Sequence, residues 1–361
     1  MDLVAEADAP QPLRIKFASL GLVVLDEIHF PSKATQKDVV GGSGSYATLG
    51  ARLFQPASKS LCIGWTIRAG SDFPSPIRSN LESWNTTFQF IEDPSQMTTR
   101  GCLEYLDESH DSKRFNYVTP ILGVRPEHLR GTPLLDSSIF HLLAEPEEAI
   151  TTIRDLLELR HQSGIDHRPL IIWEPRPSSC VPSNLKSFYQ AMAMVDVFSP
   201  NHIELGVCFG HSFIKGVDLD LVERLATTML ESGFQDGREG AIVIRAAEHG
   251  SLVVAHPSTQ TWCPAFYQSS KHDSGLTVPH PKIIDPTGAG NAFLGGYAIG
   301  LQETSDFVQA ASYGTVAASF ALEQIGLPVL GKDPCSGEEV WNGCGVIQRL
   351  KDYESRLKEK K

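Results

Sequence analysis

KIIDPTGAGNAFLGGYAIGL, residues 282–301, decides how this chain is read. An apolar run ends at Asp285, turns through Thr287-Gly288-Ala289-Gly290 and enters a stretch of small and apolar residues. The pattern predicts a strand end meeting a helix start with almost no side chains between them. First-turn N–H groups of a helix have no intrahelical acceptor, and the helix dipole sets partial positive charge behind them, so this turn suits an anion such as phosphate. A second reading stands beside it, in which Gly288 and Gly290 only permit a tight turn and close helix packing. The string is not a Walker A loop, because no Gly-Lys-Ser/Thr follows, and it lacks the third glycine of a dinucleotide fingerprint.

Outward from this stretch, strand-like and helix-like segments alternate. Residues 15–30 read as one buried strand that delivers Asp26 to its C-terminal end. Residues 39–54 open on glycines and then place Tyr46, Leu49 and Leu53 at helical spacing, a loop entering a helix. Strands are expected at 60–67, 137–144, 169–175, 195–200, 241–247 and 251–257, and helices at 146–164, 219–233, 291–303 and 307–326. Residues 96–118 carry two β-like arms around DESHDSK, a hairpin signal. Repeated alternation of this kind predicts an α/β fold, a mainly parallel central sheet with helices on both faces and ligands at the C-terminal ends of the strands. The first 14 residues are expected to be disordered, and 331–361 to form an extension whose charged helix carries a solvated lysine face.

A chain of 361 residues, 41% hydrophobic, can bury a large core. Its formal charge of −12 disfavours nucleic acid and anionic membrane as partners, since both call for a basic surface. Small-molecule work is favoured. Seven cysteines, odd in number, show no C-x-x-C pair or zinc spacing, so a reducing compartment is expected. The N-terminal residues MDLVAEADAPQPLRIKF do not resemble a signal peptide, and no run approaches the ~18 apolar residues of a membrane span. A cytoplasmic protein is the expectation.

Asp285-Pro286-Thr287-Gly288-Ala289-Gly290-Asn291, with Gly295-Gly296 behind it, closely resembles the second signature of the PfkB, or ribokinase-like, carbohydrate kinase family, D-T-x-G-A-G-D followed by a small-residue helix. GLVVLD at 21–26 is similar to the family's G-x-x-x-x-D strand, and Gly41-Gly42 resembles the opening of its first signature. VDVFSPNHIEL at 195–205 resembles the strand ending in P-N-x-x-E, and the strands near 26–40 and 96–118 fall where family members carry a small β lid. In family order these landmarks span roughly residues 15–330. The resemblance implies ATP-dependent phosphorylation of a hydroxyl on a sugar, nucleoside or other small alcohol, with ATP and Mg2+ as cofactors and room for a monovalent cation. It makes the amides of Gly288, Ala289 and Gly290 an anion hole and sets Asp26, Gly41, Gly42 and Tyr46 around the acceptor. Asn201, Glu204, Arg245, Gly250, Asp285 and Thr287 then fall on the nucleotide side, Glu204 being associated with magnesium through ATP.

The match breaks at named places. Where the family has an aspartate that takes the acceptor's hydroxyl proton, this chain has Asn291. An amide is no base near neutral pH, although it can orient a hydroxyl. A lost general base costs on the order of 10²–10⁴ in rate, and a loose transition state needs little early deprotonation, so a slow kinase is the expectation. Tyr46 falls on or beside the first signature's asparagine, and Arg245-Ala246-Ala247 replaces T-L-G. Arg245 either reaches a phosphate or stands solvated at a strand end. WEPRPSS at 173–179 takes the place of D-P-N-x-R; Glu174 and Arg176 there contact ligand or form a rim ion pair, and Trp173 is core. Asp285 shapes the loop or an adjacent cation site, and His202 reads as packing sooner than catalysis. A fungal branch of the family, linked to maintenance of a double-stranded RNA virus, resembles this chain in having G-N where others have G-D. Two main readings therefore stay open: an active kinase with an orienting Asn291, or an impaired pseudokinase that binds nucleotide or metabolite and acts through a protein partner. A phosphatase or nucleosidase on the same loop is a third. A homodimer through the lid arms is also open.

Overall fold

The apolar run at 15–30 is not one strand. In the computed structural model it breaks into β1 (Phe17–Ser19) and β2 (Val24–His29), which belong to different sheets. The break has a local cause: the Leu20 N–H goes to the His141 carbonyl at 2.8 Å and the Gly21 N–H to Ser19 Oγ at 3.0 Å, while any Cβ at Gly21 would run into the Gly44 backbone. Asp26 therefore sits within β2, not at the end of a central strand. The structure describes residues 14–106, 113–213, 216–234, 239–256, 259–271 and 277–359; apart from Arg14 the expected disordered N-terminus lies outside them, as does the hairpin turn at 107–112.

The chain continues through β3 (Gln36–Gly41), α1 (Ser43–Leu53), β4 (Ile63–Gly70), α2 (Ser75–Glu82), β5 (Thr87–Asp93), β6 (Arg100–Tyr105) and β7 (Lys113–Tyr117). Strand β4 starts later than expected because Ser60–Cys62 forms a short 3-10 turn. Next come β8 (Ile139–Ala144), α3 (Pro146–Gln162), β9 (Leu170–Pro175), α4 (Leu185–Met192), β10 (Val197–Phe198), α5 (His202–Cys208), α6 (Leu219–Gly233), β11 (Ala241–Arg245), β12 (Ser251–Ala255) and β13 (Thr259–Cys263). Helices α7 (Ala289–Thr304), α8 (Phe307–Leu322) and α9 (Val346–Glu359) complete it.

One nine-stranded sheet has the order β13-β12-β11-β10-β9-β8-β1-β4-β5. All pairs from β11 to β5 are parallel, and β12 and β13 add an antiparallel edge. Alternation along β11 shows why its sequence is continuously apolar: Ala241 and Val243 pack into a core with α1, α7 and α8, while Ile242 and Ile244 pack into a second core with α3, α4 and α6. Both faces are covered, so neither can be polar. A four-stranded sheet, β3-β2-β6-β7, stands apart and rests on the rest of the chain through Ile28, Leu103 and Tyr105, with Phe30, Val39 and Ile325 against them.

The tail is more than a solvated helix. Val346, Leu350 and Tyr353 of α9 join the core, and the Arg349 guanidinium lies 3.7 Å from the Phe320 ring centre and 3.0 Å from Glu323. Lys351 and Lys358 keep to the exposed face.

Small residues explain how α7 is seated. A Cβ at Gly295 would strike the Ala47 carbonyl of α1, and a Cβ at Gly50 of α1 would strike the Ala292 carbonyl of α7, so the two backbones touch at both positions. Overpacking of this kind costs about 1–3 kcal/mol. Gly295→Val is expected to lower the unfolding free energy by that amount, read as a lower urea midpoint at an unchanged m-value, whereas Gly123→Ala, which meets nothing within 4 Å, stays within about 0.5 kcal/mol of the parent.

Candidate functional site

A cavity of about 170 Å³ opens where the small sheet faces the start of α7. Asp26, Gly42 and Tyr46 line it with Phe115 and Tyr117 of β7 on one side and Thr287, Gly288 and Asn291 on the other. The expected opposition of Asp26 to the glycine loop is thus present in the molecule.

Asp285 builds the loop. Its Oδ1 accepts the Thr287 N–H at 2.8 Å and the Tyr105 hydroxyl at 2.7 Å, and that hydroxyl also lies 3.3 Å from Thr287 Oγ1. Gly288 has φ +76°, a left-handed conformation, and a Cβ there would enter the Tyr46 ring. The Ala289 N–H is taken by the Pro286 carbonyl at 3.3 Å, so that residue of the expected anion hole does not donate into the cavity. Among the described residues the N–H groups of Gly288, Gly290 and Asn291 have no backbone acceptor. Three donors at a helix N-terminus match an oxyanion.

Asp26 is 5% exposed, and its Oδ1 has no hydrogen-bond partner among the described residues. A Cβ at Gly41 or Gly101 would collide with its carboxylate. Gly41 therefore makes room for Asp26 and does not itself line the cavity. Burial, and then the charge of Asp285, push the Asp26 carboxyl up to about 7. The Tyr46 hydroxyl is likewise pushed well up, by burial first and then by Asp285 and Asp26.

Beneath the loop runs a buried polar chain. Asn291 Nδ2 donates to Glu174 Oε1, and His141 Nε2 meets the same oxygen at 3.1 Å, while His141 Nδ1 is 3.0 Å from Ser19 Oγ. Arg245 Nη1 is 3.2 Å from Glu174 Oε2, and Arg245 Nη2 is 3.7 Å from Glu204 Oε2 and donates to the Ser199 carbonyl at 2.8 Å. Asn201 and Glu204 cap α5 reciprocally, at 2.8 and 2.7 Å. Burial would raise the Glu174 carboxyl, but Arg245, His141 and Asn291 together hold it below the usual range. For Glu204 burial prevails over Arg245 and the carboxyl is raised.

These contacts bear on several expectations. Arg245 is not solvated: it lies against Gly290, ion-paired to Glu174 and Glu204. Glu174 and Arg176 form no rim pair, because Glu174 is buried and Arg176 pairs with Glu148 at 2.8 Å. Gly250, φ +87°, closes the β11–β12 turn, where its own carbonyl accepts the Ala246 N–H at 2.7 Å. His202 is buried against Phe213, and burial lowers its pKa. Sequence reasoning missed Tyr105 and His141 altogether; each lies in a strand, where only pairing across the fold shows what its polar end meets. Among the described residues there is no cluster of His, Cys, Asp and Glu fit to hold a metal by itself, and no helix long and apolar enough to cross a membrane.

The pfkB family carbohydrate kinase model matches residues 16–329 of the sequence. An uncharacterised protein of Schizosaccharomyces pombe is 32% identical over 346 residues, covering 94% of this chain and 92% of the relative. Protein MAK32 of Saccharomyces cerevisiae is 31% identical over 354 residues, covering 93% and 91%. Among solved structures, ribokinase from Giardia lamblia has a TM-score of 0.67 at 15% identity and covers 96% of this chain and 100% of its own. A putative ribokinase II from E. coli in complex with ATP and Mg2+ has a TM-score of 0.63 at 15% identity, covering 94% and 99%. The fold is ribokinase-like.

The buried Asp26 gives a test of the cavity's electrostatics. Its carboxyl holds a proton more tightly folded than unfolded, so its contribution to stability is full below pH 3.8 and is lost as pH rises toward 7. Asp26→Asn removes that loss and is expected to gain on the order of 2–4 kcal/mol relative to the parent between pH 4 and pH 8. Urea unfolding across that range measures it, and parallel curves for the two proteins would assign the ionisation elsewhere.

Proposed function

The chain belongs to the pfkB carbohydrate kinase family, and we propose that it transfers a phosphoryl group from ATP to a hydroxyl of a sugar, nucleoside or other small alcohol. The observation that carries this reading is the pairing, across one cavity, of the unpartnered Asp26 Oδ1 with the free N–H groups of the loop. One wall lacks a donor and the other lacks an anionic acceptor. An alcohol at the first and a phosphoryl group at the second complete both.

Magnesium-bound ATP, when present, supplies the phosphoryl group and neutralises part of its charge. Asp26 accepts a hydrogen bond from an acceptor hydroxyl and fixes its position. The N–H groups of Gly288, Gly290 and Asn291 hold phosphoryl oxygens in a fixed array, which needs no reorganisation as charge develops. Asn291 aligns the attacking hydroxyl but removes no proton, which sets the rate below that of a site with a base. Tyr46, Phe115 and Tyr117 exclude water from the cavity, with the small sheet as a lid over the acceptor. Asn201 and Glu204 would serve the nucleotide side: Glu204 Oε2 is held by the cap and Arg245, and its carboxylate would help to hold the cation that accompanies ATP. The fold likeness to a protein complexed with ATP and Mg2+ supports that choice of cofactors.

A second reading has its own support. The Tyr46 ring lies directly on Gly288 and the Asn291 amide is already bonded to Glu174, so the loop is furnished to hold an anion more evidently than to turn one over. In that case the protein binds nucleotide or metabolite and acts through a partner protein.

Purified protein with Mg-ATP and a panel of sugars, nucleosides and polyols separates the two. Turnover of one acceptor is expected, with Asp26→Asn weakening that acceptor by roughly 10–100-fold, the loss of a hydrogen bond to a charged group, while ATP affinity holds. Ligand binding without turnover moves the assignment to the second reading; binding of neither ATP nor any acceptor ends both.

A further inference from the structure

We infer that Glu174 and Arg245 lock Asn291 into a single amide orientation, carbonyl toward the cavity, and that this buried charge pair makes asparagine the residue the site requires. The inference rests on the kinase reading only for what the Asn291 carbonyl meets; the lock itself is independent of turnover.

Glu174 ends β9 and is 2% exposed. An ionised carboxylate only accepts hydrogen bonds, and Asn291 is among its bonding partners, so Asn291 must present its NH2 group downward. Its Oδ1 is then the atom left for the cavity that the residue lines. Asparagine orientation is often arbitrary, but here the charge beneath decides it. That charge is held in place. His141 from β8 meets Oε1 at 3.1 Å, and Arg245 from β11 meets Oε2 at 3.2 Å. Arg245 also faces Glu204 at 3.7 Å. Glu174 and Glu204 thus share one guanidinium below the loop.

An aspartate at 291 would add a third carboxylate to that layer with no further cation to meet it. Its carboxylate would face Glu174 with no proton between them, and two carboxylates at one site cannot both ionise freely. The pair would hold a shared proton to higher pH, and the folded state would lose stability as pH rises through the raised value. Three separated departures from the family pattern, at 174, 245 and 291, thus form one electrostatic unit. A return to aspartate at 291 needs a change at 174 as well.

The test uses Asn291→Asp, Glu174→Gln and the double variant of the full chain, with urea unfolding at pH 5.5 and pH 8. Asn291→Asp is expected to lower the folding equilibrium constant at least tenfold at pH 8 and distinctly less at pH 5.5. In the double variant the pH sensitivity should disappear and stability should exceed the product of the two single effects by tenfold or more. Should Asn291→Asp alone fail to fold, recovery of folded protein in the double variant carries the same meaning, and its failure overturns the lock. Additive single effects, or an Asn291→Asp loss equal at both pH values, also overturn it. These outcomes are read without any substrate: an intact coupling in a protein that turns over no acceptor removes the kinase reading and leaves the lock standing.

Discussion

The site depends on one carboxylate. Asp285, 2% exposed, bonds the Thr287 N–H within its own loop and the Tyr105 hydroxyl on β6 of the small sheet. With one oxygen it fixes the turn that exposes the helix amides and attaches the sheet that carries Asp26. Remove it, and the tie between the two walls of the cavity is reduced to the longer approach of the Tyr105 hydroxyl to Thr287 Oγ1 at 3.3 Å. The same charge acts at a distance, being second to burial in raising Asp26. One group thus fixes the turn and adds to what burial does to the acidity of the cavity.

That arrangement contains an electrostatic tension. Asp26 and Asp285 put negative charge beside a loop suited to an anion, in a chain already at −12. Protonation of Asp26 near neutral pH relieves part of it. The N-terminal dipole of α7 and the Arg245 guanidinium beneath Gly290 supply the opposing charge, although Arg245 is shared by two glutamates. An anion at this loop would therefore rely mainly on oriented backbone N–H groups, which carry no counterion and cannot be neutralised by an acid nearby.

Much of this was legible in the sequence, and what was not has a common cause. The β-α rhythm, the parallel sheet and the helix after the glycine loop follow from local periodicity, which both apolar cores reinforce. Asp26 was found by its company along the chain but placed on the wrong strand, because the turn at Leu20-Gly21 depends on His141 and Gly44, remote in sequence. The partners of Arg245 stayed hidden for the same reason: Glu174 comes from β9 and Glu204 from α5. Period and propensity report which face of an element is buried. They do not report which polar groups meet once it is.

The departures from the family pattern look unrelated along the chain and converge in space. The Tyr46 ring lies on Gly288, the Arg245 guanidinium on Gly290, and Asn291 bonds to Glu174. A site decaying by drift would be expected to leave unpaired charges where its former ligands acted, since loss of one partner strands the other. Here Glu174 has His141, Arg245 and Asn291 about it, and its carboxyl stays ionised at full burial. A buried carboxylate with three partners favours one arrangement of the side chains around it. At this site Arg245 Nε and Asp26 Oδ1 are the buried atoms without a hydrogen-bond partner among the described residues, and of these two residues Asp26 is the one that lines the cavity. The charges beneath the loop are thus paired with one another, while the carboxylate that lines the cavity keeps an oxygen without a partner, an arrangement that suits the proposed ligand.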